Sequence, residues 1–178
     1  MQNILMNKQE VISAFSGKDL RVNIKATKVF KAYQKGDCSK ATIFNLVFSN
    51  DRFIAFRAID TYEKIAKEEG VSKEEMKKLF GIMEGDKPKE FMWHYLQILG
   101  YMSLPNNMRA KIYNYLKTAL NEYLESNIVR VMAMQSMYDL FKSDPGYAKH
   151  VKKILEEMNK SSIKSIHIRA KNLLLLYN

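Results

Sequence analysis

The stretch Asn127-Ile128-Val129-Arg130-Val131-Met132-Ala133-Met134-Gln135-Ser136-Met137-Tyr138-Asp139-Leu140 decides the fold. Within it Val129, Ala133, Ser136, Met137 and Leu140 follow one another at offsets of +4, +3, +1 and +4. Residues at i, i+4, i+7, i+8 and i+11 share one face of a helix with about 3.6 residues per turn. A strand, whose side chains alternate, cannot bury that set on one side. The small second residue lets a neighbouring helix axis come close, and the large fourth residue fills the adjoining groove.

Working outward, the same offsets recur at Val22, Ala26, Val29, Phe30 and Tyr33, and at Ile54, Ala58, Thr61, Tyr62 and Ile65. They recur again at Ile166, Ala170, Leu173, Leu174 and Tyr177. A looser copy, Phe91, Tyr95, Ile98, Leu99 and Met102, has a ring where the others have Ala. That ring implies either wider helix spacing or a shifted register. The third members, at 29, 61, 98, 136 and 173, fall 32, 37, 38 and 37 residues apart. Such a period marks stacked helical repeats.

Shorter apolar sets precede each copy. Ile4, Leu5, Met6, Val11, Ile12 and Phe15 read as a first helix or a partly ordered cap. Ala41 to Phe48 is apolar on nearly every side and predicts a buried helix. Met76, Leu79, Phe80 and Met83 form the third set, Met108 to Leu120 the fourth, and Tyr147 to Met158 the fifth. Caps and breaks fall between them. They are Gly36-Asp37, Ser49-Asn50-Asp51, Gly70, the capping box Ser72 to Glu75, Gly85-Asp86-Lys87-Pro88, Ser103 to Asn106, Ser126-Asn127, Asp144-Pro145 and Ser161-Ser162. The expectation is one all-α domain over 1–178, a right-handed α-α superhelix of about five hairpins. Their approximate bounds are 1–35, 37–69, 72–102, 105–143 and 145–177.

Composition narrows the classes. Hydrophobic content of 47% with 11% aromatic excludes a disordered chain, and 7 Gly with 3 Pro argue against a β-protein of many turns. Cys38 is the lone cysteine, so no internal disulfide forms, as suits a reducing compartment. No run approaches the ~20 apolar residues that span a bilayer. The expectation is a cytoplasmic chain without membrane insertion.

The repeats resemble the HEAT and armadillo class of α-solenoids. Asn127 to Ser136 is similar to that family's second-helix run of Asp or Asn, Val-Arg, and small residues at the next +3 and +6. Ile54 with Ala58, and Ile166 with Ala170, match more loosely, since Ala55 and His167 stand where Arg would be. The spacing is tighter than the ~40–47 residues usual there, and the first-helix proline is mostly absent. The tetratricopeptide signature does not recur in successive repeats. The resemblance implies a non-catalytic scaffold that holds a protein or peptide on its concave face. The alternative is a nucleic-acid-binding protein, because some alkylpurine DNA glycosylases use a HEAT-like solenoid with a Trp, Asp and Arg constellation. Trp93 is the sole Trp here, and no Asp and Arg match that group. Some HEAT-like families are lyases or hydroxylases, but the His-Glu pairs of the hydroxylases are missing.

No catalytic, cofactor-binding or metal-ligating residue is expected. His94, His150 and His167 lie in different predicted helices without ligand spacing, although a turn near Lys160 would bring His150 and His167 towards each other. Cys38 stands at a predicted helix start, where a helix dipole would lower its pKa; the plainer reading is a small residue in a turn. Binding candidates come from charge and aromatics. Residues 1–35 hold seven Lys or Arg against two acids, and 145–178 hold the same, while the middle is nearly neutral within a total of +10. Arg21, Lys25, Lys28, Lys31 and Lys35 share one side of the first patterned helix, and Lys160, Lys164, His167 and Lys171 run along the last. Both stripes suit phosphates or an acidic segment; they equally suit a solvated face. Trp93 and His94 fall away from the patterned face; they either line a groove as contact residues or pack against the adjacent hairpin. Leu173-Leu174-Leu175-Leu176-Tyr177 either folds back, pairs with a second copy, or carries further repeats.

Overall fold

The computed structural model describes residues 6–18, 24–85 and 87–177, the side chain of Lys25 excepted. Ile4, Leu5, Arg21, Val22 and Asp86, named above, lie outside the described residues. Among the described residues all regular structure is helical: α1 (Lys8–Phe15), α2 (Ile24–Gln34), α3 (Lys40–Leu46), α4 (Arg52–Glu69), α5 (Lys73–Phe80), α6 (Lys89–Gly100), α7 (Asn106–Glu122), α8 (Asn127–Phe141), α9 (Ala148–Met158) and α10 (Lys164–Leu175). A 3-10 turn, Gly81–Glu84, follows α5. The five patterned stretches fall largely on α2, α4, α6, α8 and α10. The chain forms two compact units, Met1–Gly70 and Val71–Asn178.

In the first unit α2 packs on α4, and α1 and α3 back them. Ala26, Val29, Ala58, Thr61, Tyr62 and Ile65 are buried, as the periodicity predicts. Asp51 caps α4 by accepting from the amides of Phe53 at 2.8 Å and Ile54 at 3.1 Å. Gly70 ends it at φ +77°, a conformation that side chains with a Cβ rarely adopt. Arg57 is buried; its guanidinium donates to the carbonyls of Phe15 and Gly17 where α1 ends. It thereby satisfies carbonyls left free by the helix terminus. Phe48, expected inside, is 41% exposed because α3 stops two residues before it.

In the second unit α6 packs on α8 and α8 on α10, with α7 and α9 flanking. α6 and α8 meet at Gly100, where a Cβ would touch Ser136 at ordinary contact distance, 3.4 Å from Oγ and 3.5 Å from Cα. Ser136 Oγ donates to the carbonyl of Leu96 at 2.5 Å, tying the two helices together. Tyr95 is fully buried, and its hydroxyl donates to the Leu79 carbonyl at 3.0 Å, so the ring that departs from the pattern reaches back to α5. Arg130 donates from Nε to the carbonyl of Leu120 at 2.9 Å, capping the end of α7 from within its own hairpin. The Ser72 capping box forms as predicted. Asp144 does not cap α9, which starts after Tyr147; its carboxylate instead pairs with Arg109 of α7 and accepts from the Gly146 amide at 2.9 Å.

Candidate binding surfaces

On α8 the row one residue ahead of the pattern, Ile128, Met132, Gln135 and Asp139, at i, i+4, i+7 and i+11, is exposed at Ile128 and half-buried at the other three. Arg169 of α10 donates to Gln135 Oε1 at 2.6 Å, and Gln135 Nε2 donates to Asp139 at 2.9 Å. The hydrogen bonds fix three side chains from two helices into one polar ladder. Burial pushes the Asp139 carboxyl above its usual range, against the downward pull of Gln135, Lys142 and Arg169. A Cβ on Gly100 would lie 3.6 Å from the same carboxylate, so α6 borders the ladder, and half-buried Trp93 lies two turns back along that helix. His94 is only 2% exposed, so of the two readings its ring is packed and does not line a groove.

The last hairpin offers a second surface. α10 lies against α8 and α9, and the groove between α9 and α10 is an open cleft of ≈ 330 Å³. Lys152, Glu156 and Asn159 line it from the α9 side, and Lys171, Leu174 and Leu175 from α10. Leu175 is 61% and Leu176 64% exposed, so these two do not fold back. Tyr177 does: its ring stacks edgewise on Tyr138 at 5.1 Å, and Tyr138 donates to the Leu176 carbonyl at 3.1 Å. The expected stripe divides here. Lys160, Lys164 and Lys171 are exposed, and Lys171 reaches the groove. His167 is half-buried, with Nδ1 at 2.5 Å from the carbonyl of Asn159, so it braces the α9–α10 turn. His150 Nδ1 sits 3.2 Å from the Gly146 carbonyl, and no three-membered metal-ligand group among the described residues includes either ring.

In the first unit Lys28 and Lys31 are exposed on α2 and Lys35 just beyond it; Arg21 and the Lys25 side chain lie outside the described residues. Cys38 is buried ahead of α3, and desolvation pushes its thiol pKa up, so of the two readings the plain small residue before a helix fits and the dipole-activated thiol does not. In the second unit a further cleft, ≈ 430 Å³, is lined by Met76, Phe80, Leu104 and Pro105 together with Lys73 and Lys77. Sequence reasoning missed it, because α5 and the loop before α7 meet only in three dimensions. It also missed Lys152, Glu156 and Asn159, whose i, i+4, i+7 spacing was the available signal.

Among the described residues no helix is long and apolar enough to cross a membrane. No curated protein and no solved structure shows a significant match to the chain. A family model described as HEAT repeat domain matches residues 16–175, most of the chain.

Proposed function

The chain belongs to the HEAT repeat domain family, and on that premise we propose that it is a non-catalytic scaffold holding a protein or peptide on its concave face, with the accessible row of α8 as part of that surface. Repeat arrays bind partners on extended concave surfaces shared by successive helices. The observation that carries the reading is the Arg169–Gln135–Asp139 ladder beside Met132. Its members are ordered before any partner arrives, so binding loses little side-chain entropy there. The mixture of amide, carboxylate, guanidinium and thioether suits a polypeptide. A phosphate backbone would meet the Asp139 carboxylate.

The test places a photoreactive amino acid at position 132 and, as control, at exposed position 117 on α7. Irradiation in a cell extract is expected to give protein adducts from 132 and few from 117. Adducts with RNA or DNA at 132, or equal protein adducts at both sites, would overturn the reading.

A further inference from the structure

We propose that the groove between α9 and α10 seats an amphipathic helix with an acidic rim, supplied by a different protein. The inference rests on the scaffold reading and adds a second site with a partner of defined chemistry. Two antiparallel helices lying side by side leave a furrow that takes a third helix, the usual helix-in-groove mode. Here the furrow has apolar purchase at Leu174 and Leu175 and positive charge at Lys152 and Lys171. Among the described residues Lys152, Lys160, Lys164 and Lys171 form no ion pair with a carboxylate. Asn159 Oδ1 lies buried in the same lining and accepts no hydrogen bond from the protein.

Charge selects the occupant. Residues 145–178 carry seven Lys or Arg against two Glu, and residues 1–35 carry seven against two acids. A second copy docking by the same face would set positive on positive. An acidic partner meets no such penalty. Nucleic acid would also find lysines, but Leu174 and Leu175 offer a phosphate backbone nothing.

The test uses the full chain and a fluorescent designed peptide of about 14 residues, ~21 Å long as a helix, with Leu at i, i+3, i+4 and i+7 and Glu on both flanks. Its counterpart has Lys for Glu. The acidic peptide is expected to bind in the micromolar range and the basic one not to bind. Lys152→Glu with Lys171→Glu, or Leu175→Ser, should each weaken binding by about tenfold or more, equivalent to roughly 1.4 kcal/mol. Lys28→Glu with Lys31→Glu on α2 should leave it within about twofold. All four are exposed lysines, and unchanged circular dichroism confirms the fold.

Equal binding of both peptides, or no effect of the α9–α10 variants, would overturn the proposal. So would tighter binding, through these same residues, of a 20-mer oligonucleotide or of phosphatidylserine vesicles. Self-association abolished by Leu175→Ser would assign the groove to a second copy and likewise overturn it. If Met132→Glu, and not the groove variants, removes peptide binding, the groove fails while the scaffold reading stands. If only nucleic acid binds, both fail.

Discussion

α8 and α10 carry the same five-place pattern and meet different fates. In α8 the residues off the pattern, Val131, Met134, Tyr138 and Phe141, are buried as well. At the places of Val131 and Tyr138, α10 has Ile168 and Leu175, 43% and 61% exposed, and Leu176 just past the helix is 64% exposed. The difference lies in the neighbours: α8 has α6 and α10 on its two sides and α7 behind it, whereas α10 has α8 and α9. A helix that is apolar all round needs cover all round. What the pattern buries is structural; what a missing neighbour leaves uncovered is available for binding.

Four substitutions sharpen or break that contrast. Phe141→Ala should cost most, about 3–5 kcal/mol, because the ring is fully buried against Tyr113 and Tyr147. Urea denaturation measures it, and a loss below about 1 kcal/mol would mean that α8 is not the enclosed helix described. Gly100→Val drives a branched side chain into Ser136 and should cost about 1–3 kcal/mol by the same assay.

Asp139→Asn follows from the raised carboxyl. A raised carboxyl contributes stability while protonated and loses it as pH rises through the folded-state pKa. The Asn variant should therefore melt at or above the wild type at neutral pH. The gap should narrow as pH falls towards the ordinary carboxyl range, about pH 4. A gap that widens on acidification would contradict the burial argument. Leu175→Ser should change stability by less than about 0.5 kcal/mol, since no neighbour covers the side chain. A larger loss in the unfolding midpoint would show that Leu175 is covered after all.

The same contrast explains what was legible in the sequence. Ala58, Ala133 and Ala170 read as close-packing positions because spacing along one helix decides which face is apolar. The Ser72 box was legible because donor and acceptor are three residues apart. Asp144 misled because Arg109, 35 residues away, competes for the carboxylate. His94 and His167 misled for a related reason: periodicity tells which face points away from one neighbour, and says nothing of a second. The Lys160–Lys171 stripe was visible as charge, yet its bearing on a groove depended on α9 supplying Lys152 and Glu156.

The central claim is that α10 leaves apolar side chains open to a partner at positions whose counterparts in α8 are buried. Methyl-resolved NMR of the full chain, titrated with the acidic amphipathic peptide, tests it most directly. The account predicts saturable shifts at the methyls of Leu174 and Leu175, with Met134 and Met137 of α8 unmoved. Shifts confined to α2, or equal at all four positions, would contradict it.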